Sequence, residues 1–195
     1  MPRVSKAEAE KNRAVIEQVS SRLFREQGLH GISVADLMGA AGLTHGGFYG
    51  HFESKDALAA IACTRAFEES EARWRKRVAD APDHAAALES LIDGYLSARN
   101  RNNPGTGCPV AALATDVARE TDDKPVRGAF QDGLEALLDI LVDVQPDADA
   151  ETRRSHALAQ MATLAGALML SRATQGTPMS NEILAATRSF LLPES

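Results

Sequence analysis

The 195-residue chain has few of the residues that stabilise small disulfide-rich or metal-bound domains. It contains only two cysteines, Cys63 and Cys108, which form neither a disulfide framework nor a zinc-binding pattern. We expect both thiols to be reduced, in a cytoplasmic protein. Aromatic residues make up only 5% of the chain and runs of β-branched residues are scarce, so helices are the default expectation.

Long apolar segments are also missing. No stretch approaches the roughly 18–20 apolar residues that a membrane-spanning helix needs. The N-terminal sequence MPRVSKAEAEKNR has no apolar core of a signal peptide. We therefore expect neither membrane insertion nor export.

The motifs of common enzyme classes do not occur in the sequence. The five histidines lack the spacing of metal ligands, and there is no HExxH, no CxxC, no glycine-rich phosphate loop and no nucleophile elbow. The sequence thus predicts a protein that is not an enzyme and that uses no cofactor and no metal.

Charge is distributed unevenly along the chain. The net charge is −6, but the first sixty residues carry seven basic and seven acidic side chains, so all the excess acidity lies downstream. A neutral N-terminal segment can still bind phosphates if its few cations point the same way.

Apolar residues recur at helical spacing along most of the chain, and turn-forming residues separate the segments. The pattern predicts an all-α fold. We expect helices over 8–27, 33–41, 44–51, 54–78, 84–99, 109–120, 126–143, 151–173 and 180–192. Residues 100–107 (NRNNPGTG) are predicted to form the clearest loop.

Residues 33–55 (SVADLMGAAGLTHGGFYGHFESK) hold the most informative pattern. Ser33 and Asp36 match a capping box at the start of a short helix, and Gly42 can supply the positive φ of a tight turn before the next helix, which Thr44 would cap. The residues predicted to fill the core beneath the two helices are Leu37, Leu43, Phe48 and Phe52.

Two adjacent glycines, Gly46 and Gly47, lie in the second of these helices. Each costs about 1 kcal/mol of helix stability relative to alanine. This cost makes sense where a side chain would hit the wall of a DNA major groove. The alternative is a plain helical hairpin in which packing tolerates the glycines.

The order of residues 33–58, with its AAGLT turn, GGFYGHF and ESKDAL, resembles the TetR family of repressors. The resemblance implies an N-terminal three-helix helix-turn-helix DNA-binding domain over 1–55. A C-terminal helical domain for ligand binding and dimerisation would occupy 56–195.

The resemblance also implies roles for individual residues. Ser33 and Thr44 would donate to DNA phosphates at helix N-termini. His45, Gly46 and Gly47 would lie against base edges. The remaining implied phosphate contacts are Tyr49, His51 and Lys55.

The last two predicted helices have apolar stripes broad enough to serve two faces. In the resembled family these helices form a dimer contact, so we expect a homodimer and a palindromic operator with half-sites ~35 Å apart or somewhat more. The stripes comprise Leu158, Met161, Leu164, Ala165, Leu168 and Met169, followed by Ile183, Leu184, Ala186, Phe190 and Leu191.

The remaining helices would hold a pocket for a small-molecule effector of unidentified chemistry. Its candidate polar groups are Arg99, Arg101, His84, Tyr95, Asp116, His156, Gln160 and Arg172.

Cys108 is a candidate sensor of oxidants or electrophiles, because a thiol at a helix N-terminus can have a lowered pKa and some TetR relatives that sense electrophiles have a Gly-Cys step at a similar place. The alternative is that Cys108 only packs against the body, as we expect for Cys63.

The sequence therefore predicts a ligand-responsive repressor. The alternative from another class is a helical adaptor that binds proteins without binding DNA.

Overall fold

The computed structural model describes residues 5–146 and 149–192. Within these ranges the chain forms nine α-helices and two short 3-10 helices and no β-strand, so the predicted all-α fold is confirmed. The α-helices are α1 (Lys6–Gln27), α2 (Val34–Ala40), α3 (Lys55–Asp80), α4 (His84–Tyr95), α5 (Ala98–Asn102), α6 (Pro109–Val117), α7 (Pro125–Asp143), α8 (Ala150–Ala173) and α9 (Pro178–Leu191). The 3-10 helices span His45–Gly50 and Pro104–Thr106.

Local signals set the boundaries of the first helices. Ser33 and Asp36 form the predicted capping box at the start of α2. Gly28 ends α1 with a φ of 81°, and Gly42 makes the turn after α2 with a φ of 72°, a region that only glycine adopts readily. The sequence predicted the positive φ of Gly42.

A single hydrophobic core runs through the molecule. The long helix α3 begins beside the N-terminal helices and continues into the C-terminal part, where it packs along α7. Helices α8 and α9 pack against each other. Because α3 spans both parts, a displacement of its C-terminal half can be transmitted to the N-terminal helices.

The segment after α4 differs from the prediction. The helix expected over 84–99 ends at Tyr95, and part of the predicted loop is helical as α5 and as the Pro104–Thr106 turn. The Ser97 side chain caps α5, and the Asn100 side chain donates to the Tyr95 carbonyl at 2.7 Å. These bonds give the turn-forming residues a defined, compact path.

Across residues 5–146 and 149–192, none of the helices combines the length and the apolar character needed to cross a membrane.

Candidate nucleic-acid interface and internal cavity

The His45–Gly50 helix rests on buried aromatic residues. Leu37, Phe48 and Phe52 are buried, and Leu43 is half-buried against them, as the sequence predicted. The element is a 3-10 helix rather than the α-helix expected, and it is only six residues long. Its position is therefore fixed by packing on these buried side chains, since so short a 3-10 helix has little stability of its own.

The opposite face of this helix points away from the protein. Thr44, His45, Gly46 and Gly47 are exposed, and Tyr49 is 69% exposed. Six of the eight predicted contact residues lie on or beside this face, and the remaining two, Ser33 and Lys55, begin the flanking helices.

Internal packing does not require the two glycines. A methyl group on Gly46 would have no other group of the described chain within 4 Å. On Gly47 it would lie 3.6 Å from the Met38 side chain, an ordinary contact. The alternative in which packing explains both glycines is therefore disfavoured.

Ser33 and Thr44 cap their helices differently. The Ser33 hydroxyl donates to the Asp36 carboxylate at 2.5 Å and accepts from the Asp36 amide at 3.2 Å. The bonds that the carboxylate accepts from the Ser33 hydroxyl and from the Ser33 amide lower the pKa of Asp36. The Thr44 hydroxyl makes no cap hydrogen bond. To reach a phosphate, Ser33 would first have to release Asp36.

His51 and Lys55 lie half-buried at the end of this surface. The His51 carbonyl accepts from the Arg13 guanidinium at 2.7 Å, and that guanidinium lies 4.7 Å from the centroid of the Phe52 ring. The Lys55 ammonium lies 5.9 Å from the Phe24 ring. Sequence reasoning missed Arg13, because its spacing from neighbours in α1 indicates only an exposed helical residue.

A buried arginine joins α1 to the C-terminal part. Arg25 donates to the Gly107 carbonyl at 3.1 Å, to the Ser21 carbonyl at 3.0 Å and to the Glu69 carboxylate at 2.9 Å. Through these three bonds Arg25 connects α1, α3 and the segment that precedes α6. Such a buried, multiply bonded group holds three elements in one arrangement.

A half-open cavity of about 400 Å³ lies between α3, α4 and residues 97–108. Among the described residues, three solvent-exposed arginines and no aspartate or glutamate contribute to its wall. Its lining comprises Ser70, Arg73, Trp74, Arg77, Leu91, Gly94, Tyr95, Ser97, Arg99, Asn100, Asn103, Thr106, Gly107 and Cys108.

Only two of the eight predicted polar groups, Tyr95 and Arg99, line this cavity. Arg101 instead donates to the Ser180 hydroxyl at 2.9 Å, and Arg172 donates to the Asn100 carbonyl at 2.9 Å. The other four are exposed or bonded elsewhere: His84, His156, Asp116 with the Leu29 amide, and Gln160 with Gln145.

Cys108 lies in the wall of the cavity and is 5% exposed. Burial raises the pKa of its thiol, which outweighs the helix N-terminus and the Tyr95 hydroxyl beside it. The lowered pKa that its position suggested is therefore not found. Burial also raises the pKa of Cys63 to about 12, and that residue lies in the core as predicted.

The apolar stripes of α8 and α9 divide between two faces. Met161, Leu164 and Leu168 are buried in the core. Other members of the predicted stripes, together with two neighbouring residues, stay exposed in the single chain. The exposed side chains are Leu158, Met169, Leu170, Met179 and Phe190, which together we term the apolar surface of α8 and α9.

No cluster of three or more histidine, cysteine, aspartate or glutamate side chains suited to hold a metal ion occurs in the part of the chain that the structure describes.

Comparison with known proteins identifies relatives of both halves of the chain. Residues 17–61 match the family model of bacterial regulatory proteins of the tetR family, and residues 84–181 match the C-terminal domain of LmrA/YxaF-like transcriptional regulators.

Individual relatives agree with these matches. An uncharacterized HTH-type transcriptional regulator of Mycobacterium tuberculosis is 26% identical over 88% of this chain and 90% of its own length. The HTH-type transcriptional repressor KstR2 of Rhodococcus jostii is 31% identical over 80 residues, which is 41% of this chain and 39% of that repressor. The crystal structure of a TetR-family regulator from Cytophaga hutchinsonii has the same fold, with a TM-score of 0.77, 24% identity and coverage of 97% and 96% of the two chains.

Proposed function

Because this chain belongs to the TetR family of bacterial transcriptional regulators, we propose that it is a cytoplasmic repressor that binds a palindromic operator as a homodimer and releases it when an effector binds. The observation that carries the proposal is the exposed His45–Gly50 helix, which lies on buried Phe48 and Phe52 and presents two glycines that internal packing does not require.

The exposed face is suited to enter a major groove. Gly46 and Gly47 leave the backbone bare, so that it can approach base edges closely, and His45 beside them can donate to or accept from a base. Thr44 and Tyr49 border the glycines with hydroxyl groups that can donate to phosphates. This arrangement supports the roles that the resemblance implies for these five residues.

The flanking residues would fix the position of the helix on the DNA backbone. Lys55 lies at the first position of α3, where its charge and the helix N-terminus act on a phosphate together. His51, which lies between Tyr49 and Lys55 in the chain, would be a further contact to the DNA backbone. Ser33 would contribute only after its hydroxyl has exchanged Asp36 for a phosphate.

The apolar surface of α8 and α9 supports the homodimer. Large apolar side chains grouped on two adjacent helices are costly in water and are stabilised by burial against a second copy. Two-fold symmetry would then place two His45–Gly50 helices on successive turns of one DNA face, which requires a palindromic site.

The cavity and the Arg25 contact support control by an effector. An effector in the cavity would touch the 97–108 segment, and Arg25 donates to the Gly107 carbonyl of that segment from α1. Helix α3 provides a second connection, since it lines the cavity and begins at Lys55. The dimer would then have two states, one in which its two DNA-binding parts match the operator and one in which they do not. A ligand that binds the second state more tightly would lower operator affinity, at most by the ratio of its affinities for the two states.

Covalent modification of Cys108 is a second candidate signal. The thiol lies in the cavity wall, so that a reagent bound in the cavity would come close to it.

Mobility-shift assays on the DNA upstream of the gene test the proposal. A repressor should retard this DNA at 50 mM salt, and its affinity should fall at least about tenfold between 50 and 200 mM salt because phosphate binding releases counterions. A scrambled duplex of the same length is the control and should bind far more weakly. A protein-binding adaptor would retard neither duplex at low salt, and that result would overturn the proposal.

A further inference from the structure

We infer that the cavity takes a small organic anion, an acidic group on a flat apolar body, with Arg73, Arg77 and Arg99 as the recognising groups. The inference rests on the proposed function and names the chemical class of its effector.

The charge of the cavity wall is the first observation. As far as the structure describes the chain, its lining includes three guanidinium groups and no carboxylate, although the whole chain has a net charge of −6. Among the described residues, no carboxylate lies within 4 Å of Arg73, Arg77 or Arg99. Most other arginines of the chain are paired with one, so this group of unpaired cations around one space is distinctive.

Arg73 is repelled by neighbouring positive charges. Partial burial lowers the pKa of Arg73, and the charges of Arg25 and Arg77 lower it further. Glu69, which acts in the opposite direction, is already bonded to Arg25. An anion among these groups would relieve the repulsion, and guanidinium groups bind carboxylate, sulfonate and phosphate through paired hydrogen bonds.

The guanidinium of Arg77 is held in place before any ligand binds. It donates to the Ser90 carbonyl at 3.2 Å, and it lies so close to Gly94 that a methyl group there would be 2.5 Å from its central carbon. Arg73 donates to the Ser70 hydroxyl at 2.8 Å. Each of these arginines keeps further N–H groups for a ligand, because a guanidinium has five.

The rest of the wall suits a flat apolar body. Trp74, Leu91 and Tyr95 line the cavity, and its volume of about 400 Å³ falls in the range of small-molecule pockets. The buried hydroxyl of Tyr95 faces only the Cys108 thiol, a weak hydrogen-bonding group. A buried hydroxyl that is only weakly bonded is costly, so a ligand that offers it a stronger acceptor gains affinity.

A matched pair of fluorescent probes tests the inference on protein without DNA. The sulfonate 8-anilinonaphthalene-1-sulfonate (ANS) and the uncharged N-phenyl-1-naphthylamine differ only in the anionic group. Trp74 is the chain's only tryptophan and lines this cavity, so energy transfer from it reports ANS bound nearby, and the arginine variants described next assign that ANS to the cavity. We expect one ANS per chain, quenching of Trp74 emission, and at least about tenfold weaker binding of the uncharged probe.

Three variants and one control assign the charge. Arg73→Gln, Arg77→Gln and Arg99→Gln should each raise the ANS dissociation constant about tenfold and leave the uncharged probe unaffected. Arg75→Gln, on the same helix but paired with Glu71 and outside the lining, should change neither. Circular dichroism and urea titration check that each variant is folded.

Any one of three results would overturn the inference. These are equal affinity for the two probes, no quenching of Trp74 emission, and unchanged ANS affinity in all three folded variants. The two proposals fail separately. Protein that binds ANS as expected but never retards DNA contradicts the repressor proposal alone, and protein that retards DNA but does not bind ANS in the cavity contradicts this inference alone.

Discussion

Phe48 and Tyr49 are adjacent in the chain, but their rings stand nearly perpendicular at 89°, with centroids 5.2 Å apart. Phe48 is fully buried, whereas Tyr49 is 69% exposed. The two rings pack against each other in this perpendicular arrangement. Phe48 therefore contributes to the stability of the fold, whereas Tyr49 is accessible to a binding partner. Stability and DNA binding are therefore expected to separate cleanly between these two positions.

Replacing Tyr49 with alanine should weaken operator binding about tenfold or more, because a hydroxyl contact to a charged phosphate is lost from each subunit. The free energy of unfolding should change by less than about 0.5 kcal/mol, since the side chain is exposed. Fluorescence anisotropy with labelled operator and sedimentation velocity measure affinity and dimerisation. Tyr49→Phe, which keeps the ring, shows how much of the loss belongs to the hydroxyl. If Tyr49→Ala lost dimerisation together with DNA binding, the proposed division of roles would be wrong.

Replacing Gly46 with alanine should raise stability and lower DNA affinity. A methyl group there would have nothing within 4 Å among the described residues outside its own neighbours, and alanine is favoured over glycine in a helix by about 0.5–1 kcal/mol. The same methyl group would meet the groove wall, so we expect at least about a tenfold loss of operator affinity. Urea titration and anisotropy give the two quantities. Gly128→Ala, on α7 and also in open space, is the matched control and should gain stability at unchanged DNA affinity. Unchanged operator affinity in Gly46→Ala would show that this face does not approach DNA.

Replacing Phe190 with glutamate should dissociate the homodimer. The Phe190 side chain is 75% exposed in the single chain. In the proposed homodimer it would be buried against the partner, and a glutamate at this position would not tolerate that burial. We expect the dimer dissociation constant to rise at least about tenfold, because truncating a central aromatic residue of an interface commonly costs 2 kcal/mol or more. Sedimentation velocity measures it. Gln131→Glu, which adds the same charge to the exposed face of α7, should stay dimeric. A Phe190→Glu protein that remained dimeric at the same concentrations would place the interface elsewhere.

Treatment with N-ethylmaleimide should release operator from the wild-type protein through Cys108. The thiolate adds to the C=C bond of the reagent, which then takes up a proton from water. Burial raises the pKa of this thiol, so release should be slow at pH 7 and should become faster as the pH rises. Mobility-shift assays after timed treatment follow the release. Cys108→Ser should be resistant, whereas Cys63→Ala should respond like the wild type. Release that persists in Cys108→Ser would exclude the thiol as sensor and leave the non-covalent effector.

Cys63 should make the protein less stable at alkaline pH. Burial raises the pKa of its thiol from 9.0 to about 12, so the unfolded chain loses this proton before the folded chain does. The stabilisation from this thiol is complete below pH 9 and is lost as the pH rises towards 12, at about 1.4 kcal/mol per pH unit. Urea titrations at pH 8 and pH 10.5 should show the wild type losing about 2 kcal/mol more than Cys63→Ala. Equal losses would show that Cys63 does not resist ionisation in the folded protein.

Features that depend on close neighbours in the chain could be predicted from the sequence. The capping box of Ser33 and Asp36 and the positive φ of Gly42 are set within four residues, and both were found where expected. The burial of Phe48 and Phe52 followed from their spacing. These local signals and the helical periodicity were enough to predict the all-α fold class.

Features that depend on distant segments could not be predicted. Arg73 and Arg77 lie in the sequence RWRKR, which indicates a solvated helix face, and only the packing of α4 and residues 97–108 opposite α3 makes them part of a cavity. The choice between the two alternatives for Cys108 also depends on distant segments. Its place at a helix start lowers the pKa, but the surrounding structure buries it and raises it.

The contact between Arg25 and the Gly107 carbonyl has a consequence for genetics. Residue 107 borders the cavity, and residue 25 lies on α1, which packs against α2. Substitutions that keep the gene repressed in the presence of inducer should therefore arise near the C-terminal end of α1 as well as among the cavity arginines, although no described residue of α1 lines the cavity.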